Sequence, residues 1–296
     1  MIYSFILLAG FAFFSCEHEH HASGYFRDLA GPRFPYNLAS PSARYVLDHS
    51  LAEISGLEYY KQGILACIQD EKGHLFLFDT TARQVVREIR FAGKGDFESV
   101  AISGEQAYML ESNGILHSFR ISEKDEVNSE IIKTPFTVKN NLEGMCFDAS
   151  DSSLLMLCKY EAGINHMMHG RAVYRFDLKS CNLDKKPFIH ITSEEFRKKL
   201  REFNLEEINH MPFKPSGIAI SPVDGNYFII ASVGEILIVL NHDKEIVKMV
   251  PLPREIFAQP EGICFSPEGD LFISSEGRGA EGYILKFRKL PFDNAD

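Results

Sequence analysis

The sequence of 296 residues contains no tryptophan, and it lacks the patterns of several well-known chemistries. It has no nucleophile elbow, no glycine-rich phosphate loop and no Cys/His spacing of the zinc-binding type. It also has no run of basic residues, and its formal net charge is −10 at pH 7. This acidic balance argues against nucleic acid or an anionic membrane surface as the partner.

The apolar stretch from Ile2 to Phe14 is too short to span a bilayer. Its length fits the core of a signal peptide, and the Ser15-Cys16 pair that follows resembles a bacterial lipoprotein signal over residues 1–16. Cys16 would then be lipidated, whereas a plain cleaved signal is the alternative. Either reading predicts an exported protein, and the lipoprotein reading places it in the cell envelope, held to the membrane through its lipid anchor only.

Residues 17–42 begin with Glu17-His18-Glu19-His20-His21 and continue with scattered Gly, Pro and Ser. The histidines could hold a metal ion loosely, but such a composition is more typical of a solvated tether, which is the prediction here. The folded domain is predicted to cover residues 43–296 and to be monomeric.

Cysteine is too scarce for a disulfide framework. Five cysteines follow Cys16, and an odd number cannot all pair. Four of them lie in apolar runs and are predicted to be buried free thiols: Cys67, Cys146, Cys158 and Cys264.

A short phrase occurs five times in the sequence. The five copies are Ile54-Ser55-Gly56-Leu57, Phe97-Glu98-Ser99-Val100, Leu142-Glu143-Gly144-Met145, Pro215-Ser216-Gly217-Ile218 and Pro260-Glu261-Gly262-Ile263. From one copy to the next the steps are 43, 45, 73 and 45 residues. A period in the low forties, filled with short runs of Ile, Val, Phe and Tyr, is typical of a β-propeller blade of four antiparallel strands. The lack of tryptophan excludes the propellers that carry a Trp-Asp signature.

The repeat predicts an all-β fold, a ring of five blades. The last blade contains only three apolar runs, and Arg44 to Asp48 is expected to supply its outer strand and close the ring. The longest step has a surplus of 28 residues, in which Thr192-Ser193-Glu194-Glu195 is a capping-box pattern. Phe196, Leu200 and Phe203 follow at helical spacing, which predicts a short helix between blades three and four. A sixth, degenerate blade is the alternative.

The repeat also predicts where chemistry could lie. The second residue of each phrase should face the axis at one mouth of the ring, and a second set should follow the second strand of each blade. Together these positions supply six carboxylates against Lys159: Glu98, Glu143, Glu261, Glu111, Glu276 and Asp70. Crowded carboxylates need a cation or raised pKa values, and oxygen donors favour Ca²⁺ over Mg²⁺. The alternative is that single glutamates bond loop amides or neighbouring blades.

Several of these motifs resemble the SdiA-regulated family of exported bacterial proteins. The motifs are Glu143 to Phe147, Pro215 to Ala219, Glu261 to Phe265 and Leu271 to Gly277. The resemblance covers roughly Ala43 to Lys289 and implies a five-bladed propeller, distantly similar to NHL-repeat proteins, with a calcium site in the channel. It assigns Glu98, Glu143 and Glu261 to the first acidic position of that family and Glu111 and Glu276 to the second, whereas Lys159 departs from it.

Two functions are consistent with these features. The first is a calcium-binding module or scaffold that binds an envelope ligand or protein. The second is a calcium-dependent hydrolase of the lactonase, esterase or phytase kind, in which a channel carboxylate activates water. A phytase needs several Lys or Arg residues for phosphate, and the channel positions offer only Lys159. His166, His169 and His210 could bind a transition metal or act as a general base, although loop histidines are more often surface residues.

Overall fold

Five antiparallel sheets make up the structure, a computed structural model that describes residues 34–205 and 212–291. Blade one consists of β2 (Ile54–Lys61), β3 (Ile64–Gln69), β4 (Lys72–Asp79) and β5 (Gln84–Lys94). Blade two consists of β6 (Phe97–Ser103), β7 (Gln106–Glu111), β8 (Ile115–Arg120) and β9 (Glu130–Lys133). Blade four consists of β15 (Lys214–Ile220), β16 (Tyr227–Val233), β17 (Ile236–Leu240) and β18 (Ile246–Pro251).

The ring closes through the first strand of the domain, as predicted. Blade five consists of β19 (Pro260–Phe265), β20 (Leu271–Ser275), β21 (Tyr283–Phe287) and, at its outer edge, β1 (Ala43–Val46). β1 runs antiparallel to β21, with Ala43 opposite Lys286 and Val46 opposite Tyr283. A 3₁₀ turn, His49–Leu51, then leads into blade one. Because the two chain ends share a sheet, blade five has no missing strand.

Blade three differs from the predicted four strands. It consists of β10 (Leu142–Asp148), β11 (Ser153–Cys158), β12 (Arg171–Asp177), β13 (Asn182–Leu183) and β14 (Ile189–Ile191). Both β13 and β14 pair with β12, so two short strands share the outer position. Pro187 lies between them, and proline cannot donate to a strand ladder, which fits a break at this point.

A single α-helix of the described residues, α1 (Ser193–Glu202), connects blades three and four. The Thr192 hydroxyl accepts a hydrogen bond from the Glu195 amide at 3.1 Å, which caps the helix as its sequence predicts. Phe196 and Leu200 are buried against blades three and four. The predicted insertion is therefore confirmed.

The core lies between the blades. Five apolar clusters each join strands of adjacent blades, and the inner strands β2, β6, β10, β15 and β19 contact one another around a closed ring. Cys67, Cys146, Cys158 and Cys264 are buried free thiols, as predicted.

Residues 34–42, the described part of the tether predicted over residues 17–42, pack against the blades. Phe34, Tyr36 and Leu38 are buried in the cluster that joins blades four and five, where Phe228 and Phe265 surround them. The Tyr36 hydroxyl also donates to the carbonyl of Gly269 at 2.7 Å. Apolar residues two apart present one face of an extended chain, so this segment packs as an additional layer rather than lying in solvent.

Candidate functional site

The repeated phrase begins the inner strand of every blade and places one side chain at the same end of the axis. We call these five residues the inner ring: Ser55, Glu98, Glu143, Ser216 and Glu261. Each inner strand shifts its pairing register within the phrase, the mark of a β-bulge. A bulge redirects a side chain, and here it directs the inner ring to one mouth.

The residue after each inner-ring position lets adjacent inner strands approach closely. A Cβ on Gly217 would lie 2.7 Å from the carbonyl oxygen of Glu261, and one on Gly144 would lie 3.1 Å from the Cα of Gly217. Any side chain there would push the strands apart. Blade two has Ser99 instead, whose hydroxyl accepts a hydrogen bond from the Met145 amide at 2.9 Å.

The two serines of the inner ring link neighbouring blades. The Ser55 hydroxyl donates to the carbonyl of Phe97 at 2.7 Å, and the Ser216 hydroxyl donates to that of Pro260 at 2.6 Å. These serines therefore satisfy their polar atoms within the ring, which leaves the three glutamates as its ionisable members.

Glu143 is held by an ion pair. Its Oε1 lies 2.8 Å from Lys159 Nζ and accepts a hydrogen bond from Asn141 at 2.5 Å. Burial raises the pKa of Glu143, and Lys159 opposes that rise. Burial by itself lowers the pKa of Lys159, but Glu143 and then Glu261 and Glu98 raise it above its ordinary value. Lys159 is thus positively charged, and its charge acts on all three glutamates of the inner ring.

Glu98 and Glu261 form no ion pair with any described residue, although both are largely buried. Burial and then the charges of Glu143 and Asp96 hold the pKa of Glu98 far above its usual range. Burial and then Glu143 raise the pKa of Glu261 to about 8, partly opposed by Lys159. The inner ring therefore carries more carboxyl groups than Lys159 neutralises, so at neutral pH some of them hold protons.

Two further predicted residues extend this acidic surface towards blades one and five. Burial, followed by the charges of Asp70 and Glu53, raises the pKa of Glu276 to about 7. Gln259 donates to Glu276 at 2.6 Å, and one buried oxygen of Asp70 has no hydrogen-bond partner among the described residues. Glu276 and Glu53 line a cavity of about 510 Å³ beside the mouth.

Glu111 occupies a different environment. Its Oε1 lies 2.7 Å from His117 Nε2, and its other oxygen accepts from Asn113 at 3.0 Å. The second nitrogen of His117 lies 3.1 Å from the Ser129 hydroxyl, which donates to the carbonyl of Phe91. His117 is buried, so this series of hydrogen bonds satisfies both nitrogens of a core histidine and joins blades one and two. Glu111 is therefore engaged by His117 and Asn113 and does not belong to the inner ring.

Sequence reasoning missed a second ring of polar residues. Two positions before the inner ring, every blade has a polar side chain: Glu53, Asp96, Asn141, Lys214 and Gln259. Four of these residues come directly before an inner strand and Lys214 begins one, so extending the repeat backwards by two positions could have found them. Asn141 and Gln259 orient acidic groups, while Glu53 and Asp96 add negative charge.

In residues 34–205 and 212–291, no three His, Cys, Asp or Glu side chains are arranged to hold a metal ion. The mouth carboxyls act on one another electrostatically without forming one coordination shell. Their chemistry, oxygen donors with excess negative charge, nevertheless suits a hard cation. A cation would need the glutamate side chains to reorient around it.

The remaining predicted residues lie elsewhere. His166 and His169 are exposed in the loop between β11 and β12. Cys16, the predicted lipidation site, and His210 lie outside the described residues. No helix in the described part of the chain is long and apolar enough to cross a membrane.

Comparison with solved structures agrees with the propeller fold. A luciferin-regenerating enzyme aligns with a TM-score of 0.52 and 11% identity, over 85% of this chain and 96% of the enzyme. The glutaminyl cyclase of Myxococcus xanthus aligns with a TM-score of 0.55 and 13% identity, over 84% of this chain and 95% of the cyclase. At such low identities the likeness shows the fold alone.

No protein of curated function matches the sequence. The family profile described as SdiA-regulated matches residues 39–278, which include all five repeated phrases and both rings of the mouth. The chain belongs to the SdiA-regulated family.

Proposed function

We propose that this chain is an exported binding protein of the cell envelope whose axial mouth binds a cation, with Ca²⁺ as the favoured ion. The observation that carries the proposal is the charge imbalance of the inner ring. Three largely buried glutamates converge there, and among the described residues only Lys159 forms an ion pair with any of them. Burial first, and then repulsion between the carboxylates, raises the pKa values of Glu98 and Glu261, and a bound divalent cation would offset both effects.

Calcium suits this donor set better than other common ions. Carboxylate oxygens are hard ligands, and Ca²⁺ accepts six to eight of them in irregular geometry, whereas Mg²⁺ needs a near-ideal octahedron. Glu98, Glu143 and Glu261 would hold the ion. Glu143 would exchange Lys159 for the cation, and the other two carboxyls would lose their protons.

The loaded mouth would then serve as a docking surface, anchored to the envelope if Cys16 is lipidated. The ten side chains of the two rings, together with Lys159, give it a polar end suited to a polymer, peptide or protein ligand. A calcium-dependent hydrolase is the second candidate, because Glu276 has its pKa near 7 and lines the 510 Å³ cavity. Such a pKa suits a general acid or base, and a hydrolase would show calcium-dependent turnover of an ester or lactone.

Calorimetric titration with Ca²⁺ tests the proposed site. We expect the full chain to bind about one ion at the mouth and Glu98→Gln to weaken binding at least tenfold, since it removes a charged ligand. Glu123→Gln, an exposed substitution at the opposite end of blade two, is the matched control and should leave binding unchanged.

The titration also reports protons. Because Glu98 and Glu261 hold protons at neutral pH, binding should release them, and the measured heat should depend on the ionisation enthalpy of the buffer. Affinity should rise from pH 6 to pH 8. Equal affinity in the parent chain and Glu98→Gln, or no binding at pH 8, would show that the mouth is not a calcium site.

A further inference from the structure

The loop between β11 and β12 carries a run of metal-binding side chains that the mouth does not use. His166, Met167, Met168 and His169 are consecutive. The Met167 side chain is 84% exposed, whereas Met109, Met145, Met156 and Met249 are all at most 2% exposed. An exposed methionine between two exposed histidines contributes nothing to the core, so its position needs another explanation.

The loop holds these side chains on a fixed segment. The Asn140 side chain donates to the carbonyls of Glu161 and Gly163, both at 2.9 Å. At the other end, His190 donates through Nε2 to the carbonyl of His169 at 2.8 Å. The backbone on both sides of the run is therefore tied to the blades, which reduces the ordering cost of binding an ion.

His166 is set in the orientation that a metal ligand needs. Its Nδ1 lies 2.7 Å from the carbonyl oxygen of Ile164. A carbonyl only accepts hydrogen bonds, so Nδ1 carries the proton and the lone pair is on Nε2, which faces away from this contact. Metal-binding histidines commonly donate their second nitrogen to a backbone carbonyl in this way. No described residue forms a hydrogen bond with the ring of His169.

All four side chains border one cavity of about 680 Å³ between the loops of blades two and three. Met168 also packs against the core cluster beneath the loop. Its thioether is therefore engaged in packing, and Met167 has the thioether that is free to bind. The nitrogen and sulfur donors available in the run are two imidazoles and one thioether, and the Glu161 carboxylate borders the same cavity.

We propose that His166, Met167 and His169 form a binding site for a soft monovalent metal ion, of which Cu(I) is the biological representative. Thioether and imidazole donors favour Cu(I) over the hard ions that carboxylates prefer. The site lies on the same end of the propeller as the carboxylate mouth but has no residue in common with it.

Titration with Ag(I), a redox-inert substitute for Cu(I), tests this site in the full chain. All variants carry Cys181→Ser, because the exposed Cys181 thiol would compete for the ion. We expect Met167→Leu and His166→Ala to weaken one class of site at least tenfold. Met168→Leu is the matched control, since it removes an adjacent sulfur that packs against the core, and it should bind like its parent.

Histidines outside this loop bind equally in all variants, so only the differences between variants count. A competing titration with Zn²⁺ should leave Ag(I) binding in place. Equal Ag(I) binding by Met167→Leu and Met168→Leu overturns the proposal, and so does displacement of Ag(I) by equimolar Zn²⁺. A far-ultraviolet dichroism spectrum like that of the parent shows that each variant is folded.

Discussion

Glu143 and Lys159 form a largely buried ion pair, with side chains that are 6% and 17% exposed, and this pair connects stability to ion binding. Lys159 neutralises part of the inner ring when no other cation is present. The same lysine must compete with any cation that approaches Glu143. Removing it should therefore change stability and calcium affinity in opposite directions.

Lys159→Met tests this opposition. Breaking a buried pair leaves an uncompensated carboxylate, so the calcium-free variant should lose about 3 kcal/mol of unfolding free energy, measured in urea. Its calcium affinity should rise roughly tenfold, which is about 1.4 kcal/mol. Lys72→Met, which removes an exposed lysine beside the same end, is the control. If Lys159→Met weakened calcium binding, Lys159 would be supporting the site rather than competing for it.

The inner ring itself could be predicted, because a repeat places equivalent residues in equivalent positions. The hydrogen-bond and ion-pair partners of the individual glutamates could not be predicted in the same way. Glu111 and Glu98 have similar sequence contexts, but His117 lies beside Glu111 and satisfies it, whereas Glu98 has no such neighbour. That difference depends on which side chain of the next strand reaches the carboxyl group, and the sequence pattern does not specify this.

At the scale of elements, the strands and α1 follow from their apolar runs and the capping box, but the segment before β1 does not. Phe34, Tyr36 and Leu38 alternate with Pro35 and Asn37 over only five positions, shortly after a Gly-Pro pair. An apolar alternation of only five residues is too short to identify a packed segment when the surrounding composition is that of a tether. The division of the outer position in blade three was missed for a related reason, since β13 and β14 have two and three residues.

Truncation measures the contribution of this segment. A chain that begins at Ala39 should be less stable by several kcal/mol than one that begins at Phe34, because burying each large apolar side chain contributes about 1.5–3 kcal/mol. Urea unfolding of the two chains gives the difference. Tyr36→Phe in the longer chain should cost only about 1 kcal/mol, the value of the hydrogen bond to Gly269. Equal stability of the two chains would mean that the segment is a tether after all.

At the scale of the whole molecule, the ring combines tight closure with unrelieved charge at one end. Glycines and serines bring the five inner strands together, and this closeness forces the inner-ring carboxyls into one buried region. The closure by β1 and β21 was predictable from the incomplete last blade. The crowding of carboxylates at the mouth was also predictable. The five phrases do not contain Glu53 and Asp96, however, and these two residues add further negative charge.

Burial of the inner-ring carboxyls, together with this charge, should make the stability of the calcium-free protein depend on pH. Glu261 has its pKa raised from 4.5 to about 8, so the native state holds a proton that the unfolded state releases above pH 4.5. Its stabilising contribution is complete below that pH and is lost as the pH rises towards 8. Unfolding free energy should therefore fall between pH 5 and pH 8, by up to about 1.4 kcal/mol per pH unit for each such group. Glu261→Gln, which resembles the protonated carboxyl, should have a shallower slope, and Glu123→Gln should keep the parent slope. Identical slopes in all three proteins would mean that Glu261 ionises in the native state as readily as it does in the unfolded state.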